Sequence, residues 1–511
     1  MYPCKQIRPA VLALLLLASC RSLPDLAQRP SSTYLDITDS PGLNAALPAA
    51  RPTARRAGQT EIYLLDDPHD AFAARAILIN TAAHTLDMAY YIWHNDVSGK
   101  MLFQELQNAA RRGVRVRLLL DDNNTRGMDD VLAALDEEEN IEIRLFNPFL
   151  YRKARALGYL TDFPRLNRRM HNKSLTADNQ YTIVGGRNIG DEYFNISTDI
   201  GFADLDVLAK GAVVPEVSRD FDRYWASASS YPFGMIAKKA DAAQGRLKLQ
   251  ESAQKEAAVR ASYLDSLNTS PLALAIQSGG LPWLAVDARL VSDDPAKGLA
   301  RSQTEPIEGK LLQALGKPQQ DLFVVSPYFV PGRQGMKALE AIARRGVSIT
   351  VLTNSLRATD VAAVHSGYAR YRKKLLQAGV ALYEVKPDFA PPKARDKGLT
   401  GSSATSLHAK TFVVDGRRVF VGSLNFDPRS ARLNTEMGMV IDSPEVAGGM
   451  RQDLAYITPR YAYKVSLNRY NRLQWQDPDQ PNINYKKEPD AGFWKRWMVK
   501  LLSVLPIEPL L

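Results

Sequence analysis

The apolar positions of this chain fall into short runs separated by longer amphipathic stretches. Thr85–Ile92 and Ile141–Phe146 predict strands, and the apolar run Val114–Leu120 predicts a buried strand between them. Gly99–Arg112 and Met128–Asp136 predict the intervening helices. The pattern then returns. Asp321–Ser326, Val347–Thr353 and Ala381–Val385 predict strands, with helices over Gly335–Arg345 and Ala358–Ala378. Gly113 and Gly346 follow the last residue of the first helix in each set, where glycine is the expected stop signal. Strands alternating with helices predict an α/β fold whose sheets are covered on both faces.

The two sets are copies. Ala110-Arg111-Arg112-Gly113-Val114 recurs as Ala343-Arg344-Arg345-Gly346-Val347, and Asp66-Asp67-Pro68 as Asp293-Asp294-Pro295. Tyr91 matches Tyr328, and all these elements keep the same order. Such a repeat predicts two duplicated lobes, 58–226 and 281–458. The Ala/Lys/Gln-rich stretch 227–280 predicts a helical connector. Residues 20–57, rich in Pro, Ala and Ser, predict a loose tether, and 459–511 a C-terminal extension.

The strongest repeat lies late in each lobe. His171-Asn172-Lys173, Asp178 and Gly185-Gly186-Arg187-Asn188 are matched by His408-Ala409-Lys410, Asp415 and Gly422-Ser423-Leu424-Asn425. Every matched position is displaced by the same 237 residues. Two copies with identical downstream spacing are about 1000-fold rarer by chance than one. His and Lys two apart on a strand share a face, so each lobe offers an imidazole beside an ammonium. Asn188 and Asn425 add neutral donors. Two lobes meeting face to face suit a phosphodiester. Lysines and amides neutralise the phosphoryl oxygens, one imidazole attacks, and the other protonates the leaving alkoxide and then deprotonates the incoming alcohol. The lysines supply the positive charge, so this chemistry calls for no metal and no cofactor.

Composition narrows the picture. The chain has 511 residues, 65 Lys plus Arg against 55 Asp plus Glu, and a net charge of +10. A hydrophobic content of 45% with 23% charged residues excludes wholesale disorder. The two cysteines, Cys4 and Cys20, lie in the first twenty residues, which excludes a disulfide framework or cysteine zinc site in the folded body. Lys5 and Arg8 precede an apolar run, Val11–Ala18, too short to span a bilayer but suited to a secretory signal. Leu17-Ala18-Ser19-Cys20 resembles the lipobox of bacterial lipoproteins. That resemblance implies that residues 1–19 are a signal peptide and that Cys20 carries the lipid anchor of an exported envelope lipoprotein.

The paired motifs resemble the HKD motifs of the phospholipase D superfamily. The likeness tightens around Asp121-Asp122-Asn123-Asn124-Thr125, Leu166–Lys173 and Asn425-Phe426-Asp427-Pro428-Arg429-Ser430, which resemble the bacterial cardiolipin synthases, most of all the cardiolipin synthase C type. The resemblance implies two phospholipase D-like lobes, each a mixed sheet flanked by helices, with the active site at their interface. It implies a phosphohistidine intermediate made from a phospholipid, with His171 as nucleophile and His408 as general acid and base. It also implies that an acidic residue late in each lobe orients the histidine. Glu436 fits in the second lobe and Asp204 in the first, with Asp206 the alternative. Asp178 and Asp415 are expected to be structural. The implied activity is transfer of a phosphatidyl group between lipid alcohols, forming cardiolipin from phosphatidylglycerol, with phosphatidylethanolamine a second candidate substrate. A phospholipase D that hydrolyses phospholipids and an exported nuclease are the alternatives. The anchor and the Trp-rich tail speak for lipid, so no nucleic-acid partner is expected, and the need for an accessory protein stays open.

Other segments frame the site. His69, His84 and His94 match no repeat and are read as surface or capping residues, and His365 as a packed helical residue. Tyr151–Met170 carries Arg152, Lys153, Arg155, Arg165, Arg168 and Arg169 among aromatics and is read as a rim that grips anionic headgroups. Asp388–Ser406 is read as a lid. Phe493–Leu505 interleaves Trp494 and Trp497 with Lys495, Arg496 and Lys500, and is read as a helix lying on the membrane surface.

Overall fold

The strands of the N-terminal lobe are Thr60–Leu65 (β1), Thr85–Tyr90 (β2), Arg115–Asp121 (β3), Ile141–Phe146 (β4), Ser174–Ala177 (β5), Tyr181–Gly185 (β6), Ile200–Ala203 (β7), Asp206–Gly211 (β8) and Ser230–Pro232 (β9). Those that follow are Leu284–Ser292 (β10), Asp321–Val325 (β11), Ser348–Asn354 (β12), Ala381–Val385 (β13), Ala404–Leu407 (β14), Thr411–Val414 (β15), Arg418–Gly422 (β16), Met437–Asp442 (β17), Ala462–Leu467 (β18), Leu473–Asp477 (β19) and Gln480–Tyr485 (β20). The structure is a computed structural model that describes residues 22–51, 56–196, 200–387, 404–505 and 508–511.

Each lobe has a parallel centre. β2, β3 and β4 run parallel in the first, and β11, β12 and β13 in the second. The helices between them cross over the sheet, as parallel pairing requires. Val97–Arg111 is such a helix; its buried side includes Leu102, Phe103 and Leu106, and it stops at Gly113 with φ 91°. Its counterpart Gly332–Arg344 buries Met336 and Leu339 and stops at Gly346 with φ 84°. Antiparallel hairpins flank each centre. β2 continues to β5, β6, β8 and β1, and β11 continues to β15, β16, β17 and β10. The two series then join, because β1 pairs antiparallel with β10 from Thr60 opposite Val286 to Ile62 opposite Leu284. One eighteen-stranded mixed sheet results. The duplication read in the sequence is therefore a near two-fold in space. A buried core cluster crosses the seam, with Ile62, Val184 and Val207 from one lobe and Leu407, Val421 and Met439 from the other.

Three features differ from the sequence reading. Residues 22–51 are not a loose tether. Leu43 and Leu47 fill the first lobe's core, and Arg29 donates to the carbonyls of Ser227 and Ser230 at 2.6 and 2.7 Å. Two buried leucines and hydrogen bonds such as Ser40 to Asp178 and Tyr181 to Asn44 hold this Pro- and Ala-rich segment on the lobe. The stretch after 458 is partly sheet, since β18 pairs with β13 and carries β19 and β20 outward. The single helix expected over Ala358–Ala378 is two, Ala362–Ala369 and Arg372–Gln377. Tyr368 before the break and Arg372 after it both reach the buried Glu384, at 3.1 and 2.8 Å.

Candidate active site

The histidines sit where each lobe's hairpin crosses the seam. Met170 forms an isolated parallel bridge with Thr435, and the His171 amide donates to the Thr435 carbonyl at 2.9 Å. On the other side β14, which leads into His408, pairs parallel with β7, and the His408 amide donates to the Ala203 carbonyl at 2.8 Å. Each histidine is thus held by the residue that precedes an acid of the opposite lobe. Those acids are Glu436 and Asp204.

The pairing is consequently crossed. His171 Nδ1 lies 2.8 Å from Glu436 Oε2, and His408 Nδ1 lies 2.5 Å from Asp204 Oδ2. The acid late in each lobe serves the histidine of the other lobe, which sequence order did not show. Sheet register explains why these acids are equivalent. Gly185 pairs with Asp206 and Gly422 with Gly438, and each acid lies two residues before that partner. Asp206, the alternative, is instead buried against Arg75 and Arg187, at 2.9 Å from Arg75 Nη2. The shorter acid needs a closer backbone: a Cβ on Gly186 would lie 2.1 Å from Asp204 Oδ1. The matched residue Ser423 instead donates its hydroxyl to Glu436 Oε2 at 2.5 Å. With Nδ1 of each imidazole turned to a carboxylate, Nε2 of His171 is left for chemistry, while that of His408 lies beside Lys410.

Lys173 and Lys410 complete the pair of motifs, each donating to the carbonyl of its own histidine, with Lys173 at 2.6 Å. Lys410 Nζ also lies 3.0 and 3.1 Å from the ring nitrogens of His408. Asn188 accepts from the Ile92 amide at 3.1 Å and donates to the Tyr193 hydroxyl at 2.8 Å. Asn425 is buried and its Oδ1 has no partner among the described residues. Burial sets the protonation states. It pushes His171 down to about 4 against the pull of Glu436, and pushes Lys173 to about 7 and Lys410 to about 8. His408 is also pushed down, by burial and by Lys410. Burial alone would raise both acids, but the facing histidines and lysines hold Asp204 well below the usual carboxylate range and Glu436 lower than usual.

Asp178 and Asp415 lie at the other end of this architecture. Lys173 precedes β5 and Asp178 follows it, so the four-residue strand separates the His171 motif from this acid. Asp178 turns back with φ 50° and accepts from the amides of Ala83, His84 and Thr85 and from Ser40 Oγ, at 2.8–2.9 Å. Asp415, φ 54°, accepts from the amides of Gln319, Gln320 and Asp321 at 2.7–3.1 Å. Each stitches its hairpin to the start of the lobe's first central strand and is distant from the imidazoles.

The sequence reading missed three aromatic walls. Tyr91 meets His171 edge-on at 4.9 Å, Tyr193 meets His408 edge-on at 5.2 Å, and Phe202 stacks on His408 at 5.0 Å. Tyr91 was visible only as a repeat position, and Tyr193 and Phe202 have no counterpart in the duplication. His365 is buried in an ionic cluster with Arg372 and Glu488, 3.0 Å from the latter. Asp388–Ser403, most of the expected lid, lies outside the described residues. Among the described residues, His94, Asp96 and Glu192 bring ligand-type atoms within 4.8 Å of one another. There Asp96 already caps a helix through Gly99 and accepts from the Asp191 amide, and His94 pairs with Glu192 at 3.2 Å.

The basic segment Tyr151–Met170 is the clearest correction. Its arginines do not reach out for headgroups. Arg152 pairs with the buried Asp122 and with Asp129, Arg155 donates to the carbonyls of Asp122 and Asn123, Arg165 pairs with Asp162, and Arg169 with Asp121 at 3.1 Å. Buried carboxylates of the Asp121-Asp122 turn outcompete solvent for Arg152, Arg155 and Arg169, because an unpaired buried charge is costly. Arg152→Ala, which removes one of the two arginines facing Asp122 and leaves it Arg155, the Phe149 amide and the Thr125 hydroxyl, should destabilise the fold by about 2 kcal/mol, read as a lowered thermal midpoint.

A duplicated α/β fold that brings two crossed His–carboxylate pairs and two lysines to one seam defines the class: enzymes that transfer phosphodiesters through paired imidazoles. The chain belongs to the phospholipase D-like family, whose model for the cardiolipin synthase, PLD-like domain matches residues 76–225 and 311–458. It is 49% identical to cardiolipin synthase C of Escherichia coli (strain K12) over 463 residues, 89% of this chain and 97% of that one. It is 25% identical to a cardiolipin synthase of Listeria welshimeri over 75% of this chain and 65% of the relative. The crystal structure of phosphatidylserine synthase from Haemophilus influenzae Rd KW20 shares the fold, with a TM-score of 0.57 at 13% identity, covering 88% of this chain and 95% of that one.

Proposed function

We propose that this chain is a phosphatidyltransferase of the cardiolipin synthase type, and that it makes cardiolipin from phosphatidylglycerol. The crossed pairing of two buried histidines with two buried acids carries the reading, supported by the 49% identity to a cardiolipin synthase. Lys173, Lys410, Asn188 and Asn425 receive the phosphoryl oxygens of the donor lipid. His171 Nε2 attacks phosphorus, the bond to the departing glycerol oxygen breaks, and His408 gives that oxygen a proton. The hydroxyl of a second lipid then gives its proton to His408 and attacks phosphorus, breaking the P–N bond and freeing His171. Both ends of the reaction are phosphodiesters, so lipid pools set its direction. The aromatic walls around the imidazoles limit water, the competing acceptor. Cys20 anchors the exported chain to a bacterial envelope membrane, and the C-terminal helix Phe493–Val504 lies on the lipid surface. Among the described residues no helix is long and apolar enough to cross a membrane.

Lipid mass spectrometry tests this in cells that lack their own cardiolipin synthases and express the chain or its His171→Ala form. Cardiolipin with the intact chain alone is the expected result. Phosphatidic acid without cardiolipin would make the protein a hydrolase, and no change in either lipid would sink the reading.

The pH dependence follows from burial. His171 must be neutral to attack, so kcat/KM should fall only as pH drops through about 4. His408 must start protonated and Lys173 and Lys410 charged, so kcat/KM should also fall as pH rises, first as His408, held below its ordinary value, loses its proton and again past about 7 to 8 as the lysines discharge. A bound phosphodiester sets a negative charge against both lysines and His408 and raises all three. The alkaline limb of kcat should therefore lie above that of kcat/KM when both are measured on a soluble short-chain lipid. Coincident limbs would contradict the assignment.

A further inference from the structure

A surface helix ordinarily buries its leucines and shows its charges to water. The helix Arg155–Leu166 buries Leu166 but along Leu157–Phe163 does the reverse. Arg152, just before it, and Arg155 and Arg165 within it turn inward to acids and carbonyls. Leu157, Leu160 and Phe163 point outward, Leu160 with 82% of its surface exposed, and Ala154, Ala156 and Pro164 beside them are exposed as well. The helix breaks at Asp162, which lies outside helical backbone geometry, so Phe163 starts a second short turn. A contiguous apolar ridge left in water is unfavourable and marks a surface that meets something non-aqueous.

The ridge has a neighbour of the same kind. The C-terminal helix Phe493–Val504 buries Val499 against Leu356 and leaves Phe493, Trp494, Trp497, Leu501 and Val504 exposed, Trp494 at 75%. A single residue bonds to the segments that follow both helices. Arg429 Nη2 donates to Asn167 Oδ1 at 2.8 Å, directly after the first helix, and Arg429 Nε donates to the Leu510 carbonyl at 3.0 Å, just beyond the second. Asn167 lies four residues before His171, and Arg429 four residues after Asn425. The segments that follow both ridges therefore sit beside those that carry the site. Exposed cations attend them: Arg126 and Lys153 near the first, Arg357 and Lys500 near the second, none with an ion-pair partner among the described residues. Apolar ridges fringed by unpaired cations match an anionic lipid surface, with side chains among acyl chains and ammonium or guanidinium groups at phosphates.

We propose that Leu157, Leu160 and Phe163 form a second membrane-inserting ridge that, with the C-terminal helix, seats the mouth of the active site on the bilayer of an anionic phospholipid membrane. This rests on the lipid-transfer reading above. The ridge lets a lipid pass from the bilayer to the paired histidines between two apolar banks, so its phosphate meets Lys173 and Lys410 while its acyl chains stay out of water.

The test uses the full chain carrying Cys20→Ser, so that no lipid anchor contributes, compared with the same chain bearing Leu160→Asp and Phe163→Asp, and separately Leu160→Ser. Turnover is measured on vesicles of phosphatidylglycerol and phosphatidylethanolamine and on a dispersed short-chain phosphatidylglycerol below its micellar concentration. Vesicle cosedimentation, thermal midpoint and mass by light scattering are read alongside. The double variant should lose vesicle turnover and cosedimentation by about 10-fold, with Leu160→Ser intermediate. Turnover on dispersed lipid and the thermal midpoint should not change. Undiminished vesicle turnover, or an equal loss on dispersed lipid, overturns the ridge. A dimer that the double variant converts to monomer overturns it too, since a second copy would then cover this face. If the chain without ridge substitutions transfers nothing even on dispersed lipid, the lipid-transfer reading fails instead, and cosedimentation still reports on the ridge.

Discussion

His171→Ala should lower phosphatidyl transfer roughly 10⁴-fold or more and leave no covalent adduct on the protein. His408→Ala should behave differently when the donor lipid carries an activated leaving group such as nitrophenolate. Such a group departs without a proton, so the first step no longer needs the acid. The second step still needs a base to activate the incoming alcohol, so the phosphatidyl-enzyme should accumulate in His408→Ala. Intact-protein mass spectrometry after rapid quenching reads this as a mass gain of one phosphatidyl group. An adduct in His171→Ala and none in His408→Ala would exchange the two roles. Both histidines have Nδ1 on a carboxylate from across the seam, so that pairing does not by itself order their roles. The order assigned here therefore stands or falls on this experiment.

Glu436→Gln should cost about 10³-fold in kcat, although the side chain keeps its shape. An amide in place of the carboxylate no longer fixes the His171 tautomer with Nε2 unprotonated, nor balances the charge that builds on the ring. Asp204→Asn should cost a similar factor by acting on His408. The two losses belong to different steps because the pairing is crossed. With an activated donor, Glu436→Gln should slow formation of the adduct, whereas Asp204→Asn should spare its formation and slow its discharge. Pairing within each lobe would give the opposite assignment. Ser423 belongs to the same argument. Its hydroxyl holds Glu436 Oε2 at 2.5 Å, so Ser423→Ala should produce a milder version of the Glu436→Gln defect, in kcat rather than KM.

Much of the site was legible before any fold was known. His171, Lys173, His408 and Lys410 announced themselves by matched spacing, and that spacing has a structural cause. The four residues between each Lys and its Asp span the strand that carries the histidine from the seam to the tie made by Asp178 or Asp415. Asp204 and Glu436 were legible as acids late in each lobe, but not their partners. Phe202 and Tyr193 were silent, because an aromatic beside an imidazole leaves no spacing rule in the sequence. The arginines of Tyr151–Met170 were misread for a related reason. Composition shows that charges are present but not the carboxylates that will claim them.

By itself the sequence determined the alternation of strand and helix, the stops at Gly113 and Gly346, the duplication, and the two histidine motifs. All of these rest on local periodicity or on repetition, which are properties of neighbouring residues. Only the tertiary structure decided that β1 joins β10 into one sheet, that residues 22–51 strap onto the first lobe, and that the helix Arg155–Leu166 turns Leu157 and Leu160 outward. It also decided that each acid serves the other lobe's histidine. These outcomes depend on which groups meet across long stretches of chain. There the cost of an unpaired buried charge and the gain from filling a shared core are settled jointly by both lobes.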